Sequence, residues 1–157
     1  MLPSSTALPG RRRDHVQLDA NECRRWVEQH HEGRLGYLSG RGPRSVVVSY
    51  AVVGDEILVQ VPDYNDIAHY APGARVTLAV DGEVEHTSAI EEVSVTGTAG
   101  HQDGNLRAPG DTVPTVQFGE SWPAAIKTSI VTLPLKDMQG VRRRTDRRRL
   151  DERQDNR

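Results

Sequence analysis

Short runs of β-branched residues, separated by turns rich in glycine, proline and aspartate, constrain the fold of this chain most. The run at 45–53 reads SVVVSYAVV, and the run at 56–62 reads EILVQVP. Apolar runs of this length indicate β-strands, and the Gly54-Asp55 pair between them indicates a two-residue hairpin. The chain is therefore predicted to be mainly β, with further strands at 34–40, 75–80, 91–100 and 127–135.

One longer helix is predicted near the N-terminal end of the chain, at 18–33. Asp19 is a good N-cap and Glu22 stands three residues further on, which is the spacing of a capping box. Apolar residues then recur at helical spacing, so one face is expected to pack on the core, with Cys23 as a small apolar residue in it. Gly33 is expected to end the helix in a left-handed conformation.

Between the strands, three segments are predicted to lack strand structure. Residues 63–73 (DYNDIAHYAPG) leave room for a short helix, and Asp81-Gly82 is expected to form a turn. Residues 101–121 hold Gly, Pro, Asp and Asn and are expected to be mostly loop.

The charge distribution divides the chain into a body and two ends. Residues 1–14 are predicted to form a flexible arm, 15–140 one domain, and 141–157 an Arg-rich tail. The tail carries eight arginines and four acidic residues, whereas residues 1–140 carry 12 basic and 18 acidic ones. Because acidic residues dilute the tail and it contains no aromatic residue for base stacking, we expect a solvated terminus and no binding of nucleic acid.

Several classes of function are excluded by the motifs that the sequence does not contain. It has no P-loop, no GxSxG nucleophile elbow and no HExxH pair. His30 and His31 would point about 100° apart on a helix, so no metal site is predicted. No apolar run is long enough to span a membrane, and the lone Cys23 excludes an internal disulfide framework. A soluble, cytoplasmic domain is therefore expected.

Taken in order, four segments resemble the pyridoxamine 5′-phosphate oxidase-like family: GRLG at 33–36, VVVSY at 46–50, VDG at 80–82 and VTGTA at 95–99. The resemblance covers residues 18–140. It implies a split β-barrel, meaning a six-stranded Greek-key antiparallel barrel with an N-terminal α-helix and short connecting helices. It also implies a homodimer that binds FMN in a groove between its subunits and acts as an oxidoreductase on an unknown small molecule.

The resemblance further implies where the cofactor would lie. The flavin ring is expected on the strand around 46–50, and the ribityl chain and phosphate beside the next strand and the break that follows it. The closing segment of the partner subunit is expected near the ring. The implied cofactor-binding residues are Val47, Val48, Ser49, Tyr50, Gln60, Val61, Asn65, Asp66 and Trp122. No catalytic residue is assigned.

Two positions depart from the family's pattern at the expected phosphate site. Gln60-Val61 stands where an Arg-Thr pair is expected, and Asp66 stands where a lysine is expected. A carboxylate repels a phosphate, which is normally bound by Arg, Lys or backbone amides. Arg44 or Arg75 could supply the missing charge, or a deazaflavin could take the place of FMN. Alternatively, the barrel has lost its cofactor and serves as a binding or regulatory dimer.

Ordinary structural roles stay open for five of the implied site residues. Tyr50 could be packed inside the barrel, and Ser49 could face solvent. Trp122 could anchor a loop. Asn65 and Asp66 are better explained as the N-cap and the first turn of a short helix, where an acidic residue is favoured.

Overall fold

Nine antiparallel strands and two helices make up the part of the chain that the computed structural model describes, residues 15–103 and 126–144. No helix in these two ranges is long and apolar enough to cross a membrane. The elements follow in the order β1 (His15–Gln17), α1 (Ala20–Gln29), β2 (Glu32–Ser39), β3 (Gly42–Val53), β4 (Glu56–Pro62), α2 (Asp66–Tyr70), β5 (Arg75–Glu83), β6 (Ala89–Thr98), β7 (Gly100–Asp103), β8 (Thr128–Pro134) and β9 (Asp137–Arg144).

The sheet closes into a barrel because β6 and β7 are two parts of one interrupted strand. The strand order is β1-β9-β6-β5-β2-β3-β4-β8-β7, and only Ala99 separates β6 from β7. The first part pairs with β5 and the second part with β8, so β7, at one end of the order, joins β6 and closes the strands between them into a ring. Six strands thus surround the core, and β9 and β1 extend the sheet beyond β6. The predicted split barrel is confirmed.

Small aliphatic side chains fill the barrel, as the composition predicts. Residues alternate between core and outside along each strand, which is the ordinary period of a half-buried sheet. The inward positions are almost fully buried and include Leu35, Val48, Tyr50, Ile57, Val59, Leu78, Val80, Val95, Val131 and Leu133.

Helix α1 packs on the sheet through the face predicted for it. The carboxylate of Asp19 accepts a hydrogen bond from the Glu22 backbone N–H at 2.8 Å, so the predicted N-cap is confirmed. The indole of Trp26 donates to the carbonyl oxygen of Val80 at 3.0 Å. Cys23 is buried, and its sulfur lies only 2.7 Å from where a Cβ on Gly140 would be. Close packing of α1 on β9 therefore depends on that glycine.

The prediction that Gly33 ends this helix is wrong. The helix ends at Gln29, and Gly33 lies inside β2, opposite Val48. A Cβ at Gly33 would come within 2.9 Å of the Ala79 carbonyl oxygen. The glycine is thus explained by the close approach of β5.

The prediction of a turn at Asp81-Gly82 is also wrong. Both residues continue β5, where Asp81 pairs with Glu92. A Cβ at Gly82 would come within 3.3 Å of the Trp26 ring, so this glycine makes room for the aromatic side chain of α1. The hairpin at Gly54, in contrast, is confirmed. Its φ of +58° suits the first central position of a type II′ turn.

The sheet continues at two places where the sequence predicts loop or tail. Residues 100–103 form β7 instead of loop. Residues 141–144, the start of the predicted tail, lie in β9 and pair with both β6 and β1. The arm at 1–14, the segment at 104–125 and the remainder of the tail at 145–157 lie outside the described residues.

Candidate functional site

The strand expected to carry a flavin ring presents only alternate residues at the barrel surface. On β3, Val47 is 56% exposed and Ser49 is half-buried, and both point outward. Val48 and Tyr50 point inward and are buried. The four residues predicted to bind the ring therefore divide into two that face outward, Val47 and Ser49, and two that lie in the core, Val48 and Tyr50.

Tyr50 is a core residue that ties β3 to α1. Its side chain is completely buried, and its hydroxyl donates a hydrogen bond to the Val27 carbonyl oxygen at 2.6 Å. Burial raises the pKa of the Tyr50 phenol far above its usual value, because the charged phenolate would lose its hydration. The neutral phenol is thus directed at α1, away from the outward face of the strand.

The two implied site residues of β4 also point in opposite directions. Val61 is buried in the core, opposite Ser129 of β8. Gln60 is half-buried on the outward side, and its side-chain nitrogen donates to the Thr128 hydroxyl at 2.9 Å. Gln60 is therefore oriented by β8. No sequence pattern indicates this partner, because Thr128 follows Gln60 by 68 residues.

Five outward residues of these two strands form one surface, which we call the β3–β4 face: Val47, Ser49, Ala51, Leu58 and Gln60. None of these side chains is charged. Leu58 is outward but nevertheless only 8% exposed. On the neighbouring strand, exposed Glu32 and Arg34 pair in register with Ser49 and Val47, and they bring one negative and one positive charge to the border of the face. Apolar side chains with a hydroxyl and an amide among them suit a planar heteroaromatic ligand.

Asn65 and Asp66 form the N-cap and the first turn of α2, which is the structural role that the sequence favours for them. The side-chain oxygen of Asn65 accepts from the Ile67 backbone N–H at 2.9 Å, which is an N-cap. The Asn65 backbone N–H donates to the Pro62 carbonyl oxygen at 2.9 Å. Two backbone donors of this segment are therefore already used within the chain.

Arg44 is the one of the two suggested replacement cations that reaches this segment. Its guanidinium lies 3.8 Å from the Asp66 carboxylate, and both side chains are about half exposed. Arg75 instead pairs with Asp137 of β9 at 3.4 Å. At the start of α2, the positive charge of Arg44 is thus balanced by the carboxylate of Asp66.

The β3–β4 face suits a flavin ring, whereas the segment at Asn65 and Asp66 does not suit the phosphate of FMN. A phosphate monoester carries close to two negative charges at neutral pH. The expected phosphate segment offers a carboxylate at Asp66 and an amide already bonded to Asn65. The contacts that the resemblance implies for an FMN phosphate are therefore not formed by these residues. Trp122, the implied neighbour of the ring, lies outside the described residues and stays a prediction.

A shallow cleft, which the sequence did not indicate, lies between α1 and the β3–β4 hairpin. Arg24 dominates it, with bonds of 2.7 Å to Glu28, Asp55 and the Gly54 carbonyl oxygen. The His30 ring packs on the Trp26 ring, and the described ranges contain no group of three side chains that could hold a metal ion. The polar groups of this cleft are thus used in attaching α1 to the hairpin.

No family model and no curated protein matches this sequence. Solved structures do match its fold. A putative pyridoxamine 5′-phosphate oxidase from Corynebacterium glutamicum is 17% identical with a TM-score of 0.63, over 84% of this chain and 95% of that one. An FAD binding protein from Mycobacterium smegmatis is 17% identical with a TM-score of 0.59, over 83% and 99%. An FAD-binding protein from Mesorhizobium loti is 15% identical with a TM-score of 0.62, over 82% and 97%.

Proposed function

We propose that this chain, whose fold is that of the pyridoxamine 5′-phosphate oxidase-like split barrels, binds a flavin on its β3–β4 face. We further propose that it is an oxidoreductase that acts on a small molecule. The observation that carries the proposal is the uncharged β3–β4 face. Proteins of similar fold that are described as FAD-binding support it.

The residues of the β3–β4 face suggest how the ring is held. Val47 offers an exposed apolar surface for the flat side of the ring, and Ser49 and Gln60 offer hydrogen bonds to its polar edge. A bound flavin would supply the electron-transfer chemistry, while the protein supplies position and electrostatics. The five residues of the face include no side chain that could serve as a general base. In this proposal they bind and orient the ring, and exclude water from it.

A homodimer is part of the proposal. Leu38 on β2 is 63% exposed and Val47 on β3 is 56% exposed, and both point outward from neighbouring strands. Exposed apolar side chains on adjacent strands are typical of an interface. We propose that a second copy of the chain covers them and forms the other wall of the flavin groove. A cytoplasmic location is proposed as well, in keeping with the single, free Cys23.

FMN and a deazaflavin are the two specific cofactors that the sequence suggests. The ion pair of Arg44 with Asp66 favours a second candidate function, in which the barrel holds no cofactor and serves as a binding or regulatory dimer. The two candidates differ in one measurable property, which is the binding of a flavin ring.

The test is a titration of dialysed protein with riboflavin and, separately, with FMN, followed by flavin fluorescence. We expect saturable quenching at one flavin per chain. Val47→Glu is expected to abolish it, because a carboxylate would meet the ring. The matched control is Val16→Glu, which changes an equally exposed valine on β1 (57%). Sedimentation of the same samples separates loss of the ring contact from loss of the dimer. Absence of quenching by either flavin, in a folded dimer, would establish the second candidate instead.

A further inference from the structure

We infer that the flavin site does not recognise a terminal phosphate, and that it selects its ligand by the ring and ribityl chain alone. Riboflavin and FMN should therefore bind with nearly equal affinity. This inference rests on the proposed function and makes it more specific. The ligand class that it names is flavins, with or without a phosphate monoester at the end of the ribityl chain.

The charges around the start of α2 cancel. Asp66 and Arg44 lie 3.8 Å apart. Their opposite charges sum to zero. A dianionic phosphate placed here would gain no net Coulomb attraction from this ion pair, and the Asp66 carboxylate would repel it.

Three hydrogen-bond donors at the same turn are also in use. The Ile67 N–H is bonded to the Asn65 side chain, and the Asn65 N–H to the Pro62 carbonyl oxygen. The hydroxyl of Ser129 donates to the Asp63 carboxylate at 2.6 Å. To use any of these three donors, a phosphate would have to displace a bond that the fold already makes. Binding through them thus exchanges hydrogen bonds and adds none.

The decisive measurement is the ratio of the riboflavin and FMN dissociation constants for the wild type and for Asp66→Lys. In the wild type we expect the two constants to agree within about threefold. Asp66→Lys should tighten FMN binding by about tenfold and leave riboflavin unchanged, since reversing one charge a few ångströms from a dianion is worth at least that much in a water-like dielectric. The control is Asp137→Lys. It breaks the ion pair with Arg75, which is similarly exposed, and should leave the ratio unchanged.

Three results would overturn the inference. FMN that binds the wild type ten times more tightly than riboflavin would show that the site does recognise a phosphate. A ratio that Asp66→Lys does not change would show that the phosphate does not lie beside Asp66, which removes the reason for the inference. A selective loss of FMN affinity in Arg34→Gln would show that the phosphate is held at the border of the β3–β4 face. In all three cases riboflavin still binds, so the proposed function survives. If neither flavin binds to the folded wild type, the proposed function fails and the inference fails with it.

Discussion

The hydroxyl of Tyr50, in the wall of the barrel, lies 2.6 Å from the carbonyl oxygen of Val27, in the last turn of α1. Both residues are completely buried. The same carbonyl oxygen also accepts from the His30 backbone N–H at 3.4 Å, so the tyrosine hydroxyl is the shorter of two donors at the C-terminal end of the helix. One side chain therefore fixes the position of α1 relative to β3.

Removal of this hydroxyl should destabilise the fold. In Tyr50→Phe the carbonyl of Val27 keeps only the longer bond from the His30 N–H, so the free energy of unfolding should fall by about 1 kcal/mol. Urea denaturation measures this change. The control is Tyr64→Phe, since Tyr64 is 78% exposed and its substitution should leave the free energy of unfolding unchanged. Equal stability of Tyr50→Phe and the wild type would show that the bond contributes nothing.

The same tyrosine predicts a loss of stability at alkaline pH. Because burial raises the pKa of Tyr50, the folded state keeps its proton at a pH at which the unfolded chain releases it, near pH 10. The stabilising contribution is thus fully present below about pH 10 and is lost as the pH rises above that value. Burial, together with the nearby Asp19 and Glu22 carboxylates, also raises the pKa of Cys23. The free energy of unfolding therefore falls with rising pH for this group as well.

The measurement is the free energy of unfolding from about pH 9 to about pH 11, with all variants made in a Cys23→Ala background. Tyr50→Phe should lose less stability over this range than its parent does. A parent and a Tyr50→Phe variant with the same slope would contradict the prediction.

Local signals predicted the elements that depend on neighbours in sequence. The Asp19 cap and the turn at Gly54 both form where the residue pattern places them. The errors arose at Gly33 and Gly82, which look like ordinary stop and turn residues. Each is a glycine because of an element distant in sequence, namely the Ala79 carbonyl of β5 and the Trp26 ring of α1. No local pattern contains that information.

The close packing of α1 on β9 can be tested at Gly140. In Gly140→Ala the new methyl group would lie 2.7 Å from the Cys23 sulfur and 2.9 Å from the Leu18 side chain. We expect a loss of about 1–3 kcal/mol in the free energy of unfolding, typical of an overfilled core. Gly36→Ala is the matched control, because the nearest atom to its methyl group would lie at 3.7 Å. Thermal or urea unfolding of the two variants should differ clearly, and similar stabilities would contradict the packing argument.

The proposed interface predicts a variant that separates the subunits. Leu38→Glu places a charge among the exposed apolar residues of β2 and β3, so a dimer that buries this face should dissociate at concentrations at which the wild type remains associated. Sedimentation velocity reports the two states. Val16→Glu, on β1, should leave the dimer intact. A wild type that sediments as a monomer would remove this part of the proposal.

The candidate site was predicted unevenly from the sequence, for a geometric reason. The resemblance implied both Ser49 and Tyr50 as ring contacts, whereas alternation along β3 turns Ser49 outward and Tyr50 inward, as the structural alternative for these two residues has it. The sequence suggested both Arg44 and Arg75 as cations for this segment, and only the fold shows that Arg44 lies beside Asp66 while Arg75 pairs with Asp137. Charge balance at the site is thus a property of the tertiary fold.

The continuity of β6 and β7 across Ala99 has a consequence for the order in which a nascent chain can assemble. β8 fills the place between β4 and β7, and it begins only at Thr128. Until that strand has left the ribosome, β4 and β7 each lack the neighbour that β8 provides and present unpaired backbone groups. An emerging chain therefore has an open edge at β4 once residue 62 is made and a second one at β7 once residue 103 is made, and the seven residues of β8 later pair with both.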